Sequence, residues 1–394
     1  MRLVFLTMCG AALVGCADAN NPTAPASKKS APSLPSDHYP GLTGGGYDLR
    51  PVSVRIEELV TRRFGKVTLP PDPFSNSPDA VHPDIACPAV WIGPRCWLLY
   101  TPYKNSDPSY ENPAFLVAAD DTAWTTPPAV RNPIVGYPGS GYYNSDPDHD
   151  FDPWTGRMIQ IYRLVTDSAN KIMIMSTATA KDWKAPVLAF AERRHDAVSP
   201  ALVIEPDRTG KIWYVRAGAS GCSARSSTVV LRVAQPDFAT AFEDAAWSAP
   251  THVAMSIPGY VIWHLDVTRR PRGGYIALIA AFPEGTSCSN SDLWLATSED
   301  GIVWRNFAIP LFWRGMKVAR ARSISTWYRG TLRYDPVTDS LHLWPSALSD
   351  RFWNVYHVAV PMQLTLSLLG SAQPTDMRSL SKVRPRAAPT VLMP

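Results

Sequence analysis

The hydrophobic pattern of this chain is that of many short strands. Apolar residues come in brief runs broken by Gly, Pro, Asn or Asp: Ala89-Val90-Trp91, Trp97-Leu98-Leu99-Tyr100 and Ala114-Phe115-Leu116-Val117 follow one another with turn residues between them, which is the grammar of hairpins. The order recurs as Met158–Tyr162 then Lys171–Met175, Lys211–Val215 then Thr228–Leu231, Gly274–Leu278 then Leu293–Ala296, and finally Leu341–Trp344. Helical spacing is confined to Val54–Arg63, where Ile56, Leu59 and Val60 share a face.

The repeats close alike. Asp120–Trp124, Lys181–Pro186, Ala246–Pro250 and Ser298–Trp304 each set a Trp just beyond a tight turn, where it can cover a sheet edge or fill the space between adjacent sheets. They also open alike, on His82-Pro83-Asp84, Ser145-Asp146-Pro147-Asp148 and Trp263-His264-Leu265-Asp266. Aligning Asp84, Asp148, Pro200, Asp266 and Thr331 gives spacings of 64, 52, 66 and 65 residues, five units that fill the chain from about residue 80 to 375. A sheet repeated around an axis gathers the starts of its innermost strands, so acids distant in sequence can meet in one pocket. The expected fold is all-β, a five-bladed β-propeller over residues 80–375 with an N-terminal extension (47–79) and a short C-terminal tail (376–394).

Composition agrees. Thirty-eight prolines and fourteen tryptophans suit loops and half-buried sheet surfaces. A formal charge of +4 without a dense Lys/Arg block gives no electrostatic capture of nucleic acid. At the N-terminus, Arg2 precedes an apolar stretch from Leu3 to Val14 that is too short to span a bilayer and ends in Leu13-Val14-Gly15-Cys16. This resembles the lipobox of bacterial lipoproteins, which implies a signal peptide over 1–15 and lipidation of Cys16. Ala17 after the cysteine is compatible with outer-membrane sorting in that family. Residues 16–46, rich in Ala, Pro, Ser and Gly, then serve as a tether. Export exposes the remaining four cysteines to an oxidising compartment. Of their three pairings we favour Cys87 with Cys96 across a hairpin and Cys222 with Cys288 across neighbouring repeats.

The order His82-Pro83-Asp84, Tyr100-Thr101-Pro102-Tyr103, Tyr110-Glu111-Asn112-Pro113, then Asp146-Pro147-Asp148 with a following Tyr162-Arg163, resembles the five-bladed propeller group of family 43 and family 32 glycosidases, of arabinanase and invertase type. The likeness covers roughly residues 80 to 360. A six-bladed sialidase-like propeller is the rival, since Ser298-x-Asp300-Gly301-x-x-Trp304 resembles an Asp-box with one residue fewer between Asp and Gly. The glycosidase resemblance implies hydrolysis of glycosidic bonds in a poly- or oligosaccharide, with Asp84 as base or nucleophile and Asp148, or else Asp146, tuning pKa and orientation. The acid that such enzymes carry at the start of a middle blade is missing here, where Val198-Ser199-Pro200-Ala201 stands instead. The displaced acid is expected to be Glu111, entering the pocket from the first blade with a burial-raised pKa, or else Asp266, reaching it from the fourth.

Around these, His82, Asp146, Trp263, His264, Asp266 and Arg329 are expected to bind substrate. The same acids can equally cap inner strands through buried hydrogen bonds, and Trp263 can equally pack in the core. His82 and His264 read as hydrogen-bonded neighbours of the acids, so no metal and no other cofactor is expected. The alternative function is a noncatalytic carbohydrate- or protein-binding surface lipoprotein. Either way the expected partners are carbohydrate and, through Cys16, a membrane, and the expected state is a monomer in the bacterial cell envelope.

Overall fold

A computed structural model of the protein describes residues 52–88, 96–118, 123–270, 272–316, 318 and 324–371. Cys16, the signal and tether segments, the C-terminal tail and the Ala89-Val90-Trp91 run lie outside these residues. The chain begins with helix α1 (Val52–Thr61), shifted two residues from the predicted span, and strand β1 (Gly65–Lys66). Five antiparallel blades follow. Blade one is β2 (Ala80–Ala86), β3 (Cys96–Pro102) and β4 (Ala114–Ala118). Blade two is β5 (Tyr143–Asp152), β6 (Arg157–Val165), β7 (Ala169–Thr177) and β8 (Val187–Arg193). Blade three is β9 (Val198–Ile204), β10 (Gly210–Arg216), β11 (Thr228–Ala234) and β12 (Thr251–Val253). Blade four is β13 (Tyr260–Arg269), β14 (Tyr275–Pro283), β15 (Asp292–Ser298) and β16 (Trp304–Asn306). Blade five is β17 (Ile324–Asp335), β18 (Ser340–Ser349) and β19 (Phe352–Pro361), and helix α2 (Met362–Ser371) follows it.

The ring closes in two ways. The innermost strands touch in the order β2, β5, β9, β13, β17 and back to β2. At the rim β1 pairs antiparallel with β19, Gly65 opposite His357 and Lys66 opposite Tyr356, so a segment from the N-terminal extension supplies the outer strand of the last blade. Pairing this early segment with the last blade covers an edge that would otherwise be open.

The repeated tryptophans fill the gaps between blades, as their turns suggest. Trp183 of blade two meets Trp97 and Phe115 of blade one, Trp247 of blade three meets Phe190 of blade two, and Trp304 of blade four meets Trp213 of blade three. Trp124 shares a core cluster with Trp344 of blade five. Gly301 is held by this arrangement. Its φ is +80°, a Cβ there would lie 2.7 Å from the Trp213 ring, and its carbonyl accepts from the indoles of both Trp213 and Trp304 at 2.8 and 3.0 Å.

Both expected disulfides form, Cys87 with Cys96 and Cys222 with Cys288. The second ties the 3-10 turn Gly221–Ser223 of blade three to Cys288–Asn290 of blade four. Cross-linking residues 66 apart removes loop freedom from the unfolded chain. The double substitution Cys222→Ser/Cys288→Ser is therefore expected to lower stability by about 2–4 kcal/mol in equilibrium denaturation.

Candidate functional site

Each innermost strand breaks register near its start. The breaks fall between Val81 and Asp84, Ser145 and Asp148, Ile262 and His264, and Trp327 and Gly330, and opposite Trp213/Val215 in β9. Proline explains three of them. Pro83, Pro147 and Pro200 cannot donate to a ladder, which suits a bulge, and the residues before them, His82, Asp146 and Ser199, have φ of 53°, 49° and 51°. A bulge re-aims side chains. Here it turns residues of separate blades toward the axis in two tiers.

The first tier joins His82 of blade one, Asp146 of blade two and His264 of blade four. One ligand-type atom from each lies within 4.8 Å of the other two, and all three residues are buried. His82 Nε2 is 3.2 Å from Asp146 Oδ1, and His264 Nδ1 is 3.8 Å from the same oxygen. His82 Nδ1 bonds to the Thr101 hydroxyl at 2.8 Å. Among the described residues, His82 Nε2 and both ring nitrogens of His264 have no hydrogen-bond partner. Burial holds both rings neutral, with Arg329 and Arg163 adding to it against the pull of Asp146: His82 is pushed down to about 3 and His264 well below the usual imidazole range. For Asp146 burial acts the other way, but the cations Arg163, at 2.9 Å, and Arg329 outweigh it and keep the carboxyl ionised. Asp146 Oδ2 also accepts from the Ser199 amide at 2.9 Å.

Glu111 faces this tier from the loop between β3 and β4, its Oε2 3.7 Å from His82 Nδ1. Local sequence places it. Asp107 caps the 3-10 turn Pro108–Tyr110 by accepting from the Ser109 amide at 2.8 Å, with Pro108 at the first position, and Glu111 ends that turn. The Asn144 amide then donates to the Glu111 carbonyl at 3.0 Å, fixing the loop to blade two. Burial first, and Asp146 and Asp107 after it, push the Glu111 carboxyl up to about 8 against a hydrogen bond from Ser145 and the charge of Arg163. Tyr328, from blade five, sets its ring 4.5 Å from that of His264, and its hydroxyl accepts from the Trp263 indole at 3.2 Å.

The second tier lies two residues further along each strand. Asp84, Asp148 and Asp266 place an oxygen each within 4.8 Å of the others. Their oxygens are already engaged. Asp84 accepts from the amide and ring of His149 and from Thr331, the latter at 3.1 Å. Asp148 accepts from the Leu202 amide at 2.8 Å and from Arg329 Nη2 at 2.8 Å, and Asp266 accepts from the Leu332 amide at 3.0 Å. Burial and the mutual repulsion of the three raise Asp148 well above the carboxylate range and Asp266 to about 6, while Arg329 opposes the rise. These bonds strap blade one to blades two and five, blade two to blades three and five, and blade four to blade five.

All the acids and histidines selected from sequence thus reach the axis, sorted into tiers that sequence does not distinguish. Asp146 and Asp148, alternatives for one role, sit in different tiers because Pro147 and the bulge lie between them. Arg329, only 1% exposed, spends its Nη2 on Asp148 and on the Pro200 carbonyl at 3.2 Å, and Trp263 is packed in the core shared by blades three and four. The two imidazoles surround one carboxylate in a ligand-like set, a grouping sequence reading does not assign. Arg163, Ser145, Ser199, His149 and Tyr328 were given no role in sequence. Arg163 had a signal, since a hairpin of β5 and β6 puts it opposite Ser145.

No known protein-family profile matches the chain. Over 325 residues it is 24% identical to an A type blood N-acetyl-alpha-D-galactosamine deacetylase from Flavonifractor plautii, which covers 68% of this chain but only 40% of that protein. Among solved structures, an N-acetylgalactosamine deacetylase from F. plautii in complex with blood group B trisaccharide superposes with a TM-score of 0.68 at 21% identity, covering 78% of this chain and 97% of that one. The α-L-arabinofuranosidase PaAbf62A from Podospora anserina gives 0.52 at 10% identity over 75% and 96% of the two chains. A thermostable family-43 glycoside hydrolase gives 0.50 at 15% identity over 73% and 91%. The chain is a five-bladed β-propeller whose fold is shared with a family-43 glycoside hydrolase and with a sugar deacetylase.

Proposed function

We propose that this protein hydrolyses the N-acyl group of an amino sugar, with the first tier as its reaction centre. The observation that carries the reading is the set His82, Asp146 and His264, two imidazoles and a carboxylate with one ligand-type atom each within 4.8 Å of the others, and three of its ring nitrogens making no hydrogen bond among the described residues. Buried polar atoms left without partners are rare, and this donor set and protonation state suit a first-row divalent cation. Such a cation, when bound, polarises a carbonyl and lowers the pKa of water.

The remaining work falls to side chains of this chain. Hydrolysis adds water across the amide: the carbonyl carbon gains the oxygen, the C–N bond breaks, and the amine leaves with a proton while the acyl group departs as carboxylate. Glu111, in the ionised form that grows as the pH rises toward 8, takes the proton from water and returns it to the amine. The Asn144 backbone amide holds the Glu111 main chain in place. Arg163 keeps Asp146 charged, and the Tyr328 hydroxyl, which accepts from Trp263, is free to donate its own proton to a developing oxyanion. The sugar deacetylase likeness supports this choice of reaction. Glu111→Gln is expected to lower acetate release from N-acetylated amino sugars by about a hundred- to ten-thousandfold, measured with purified protein supplied in turn with zinc, manganese and cobalt; undiminished release rejects the assignment.

Glycosidic-bond cleavage by Asp84 and Asp148 with Glu111 is the second reading, favoured by the gathering of axial acids in a fold shared with a glycosidase. The engagement of those acids in bonds between blades weighs against it. Release of reducing sugar that Asp84→Asn abolishes without unfolding the protein would establish it. Export with a lipid at Cys16 and residence at the outer membrane extend either reading, supported by the Leu3–Cys16 segment and by two disulfides. Fatty-acid labelling in a bacterial host is expected to be lost in Cys16→Ala.

A further inference from the structure

Three aromatic rings stand together on the rim of blades one and two beside the reaction centre. Phe74, 46% exposed, lies 5.9 Å from Tyr110 and 6.0 Å from Tyr137, itself 43% exposed. Tyr110 is the residue before Glu111. The Tyr137 loop is fastened to the same place, because the Asn144 side chain donates to the Gly136 carbonyl at 3.2 Å while its amide donates to Glu111. Lys104 crosses from the Tyr110 ring, 5.6 Å from its centroid, to the Ser75 carbonyl at 3.0 Å and so steadies the Phe74 loop.

We propose that Phe74, Tyr110 and Tyr137 form a stacking subsite for a sugar unit bonded to the one that reacts, so that the site selects oligosaccharides over free monosaccharides. The inference rests on the carbohydrate reading above. Its chemistry is in the patch: the members are aromatic, two carry hydroxyls, and a lysine ammonium and the Asp107 carboxylate stand close by. A pyranose has an apolar C–H face to lay on such rings and equatorial hydroxyls for polar groups at their edge, the pairing of flat apolar contact with a few polar groups that sugar sites use. A patch built for a protein partner would hold a fully desolvatable centre, whereas two of these three rings carry hydroxyls and Lys104 Nζ lies 5.6 Å from the Tyr110 ring. Position adds the second argument. Tyr110 is the last residue of the 3-10 turn that Glu111 ends, so the same turn that sets Glu111 also sets this ring. A second exposed pair, Trp154 on the turn from β5 to β6 and Phe238 between β11 and β12, with rings 5.1 Å apart, serves as an internal control.

The test uses the whole protein carrying Glu111→Gln, so that ligand is bound without turnover. Affinities are measured for N-acetylgalactosamine, N-acetylglucosamine and a panel of di- to pentasaccharides containing them. The ratio of oligosaccharide to monosaccharide affinity is expected to fall about tenfold in Phe74→Ala/Tyr137→Ala, to recover in Phe74→Trp, and to stay unchanged in Phe238→Ala. An unchanged ratio in the double variant overturns the subsite, as does a parent protein with no preference for oligosaccharides or no affinity for sugar. The outcomes separate from those of the reaction: a ring-dependent preference without acetate release from the Glu111 protein upholds the subsite and sinks deacetylation, and acetate release with a ring-independent ratio does the reverse.

Discussion

Replacing His264 by Ala is expected to lower hydrolysis of N-acetylated amino sugars by about a hundred- to ten-thousandfold, since a bound cation contributes several kcal/mol to such a reaction and about 1.4 kcal/mol is a factor of ten. The same substitution is expected to abolish retention of a first-row divalent cation, read by elemental analysis of the dialysed protein. Chelation should reproduce the activity loss in the parent protein, and restoring the cation should reverse it there and not in the variant. The grounds are physical. A fully buried imidazole with neither nitrogen hydrogen-bonded among the described residues is costly as a packing element, and that cost is recovered if the nitrogens meet a ligand. If His264 is only packing, the variant keeps its metal content and activity and shows a lower unfolding midpoint alone. Full activity after chelation would remove the first tier from the reaction.

The largest effect on stability is expected at Arg329. Its guanidinium stands against Asp148 at 2.8 Å with Asp84 and Asp266 close by, three buried carboxyl groups and one fixed cation. Arg329 is the cation that opposes the repulsion among these buried carboxyl groups, and its Nη2 also donates to the Pro200 carbonyl, so Arg329→Met should destabilise the protein by about 3–5 kcal/mol in equilibrium denaturation. Asp148→Leu alone should also destabilise it, but the double variant should recover much of the loss, because the guanidinium and the carboxyl group it donates to leave together. Simple addition of the two single losses in the double variant would show that the pair is not coupled, and that Arg329 acts only through the Pro200 carbonyl and its packing.

Much of the fold was legible because it is local. Runs of four or five apolar residues between turn residues name the strands, and Trp124, Trp183, Trp247 and Trp304 mark the blade turns because a large ring beyond a tight turn has the gap between sheets to fill. The alignment of Asp84, Asp148, Pro200, Asp266 and Thr331 points to the five inner strands. The rim strand β1 was not legible. Gly65-Lys66 carries no strand pattern of two-sided burial, and only the proximity of β19 after the ring has closed gives it a partner.

The site divides along the same line. From the chain alone came the residues: the His-Pro-Asp and Asp-Pro-Asp openings, His264 and Asp266, Glu111 after its capped turn, and the pairing of the four cysteines. Their division of labour came from tertiary structure. Which of Asp146 and Asp148 faces the imidazoles depends on how the bulge at Pro147 rotates the strand. That Arg329 serves Asp148 from 181 positions away depends on closure of the ring. Strand identity follows from the spacing of neighbouring residues, but the partners of a buried charge are set by which blades meet at the axis, and no spacing along the chain encodes that.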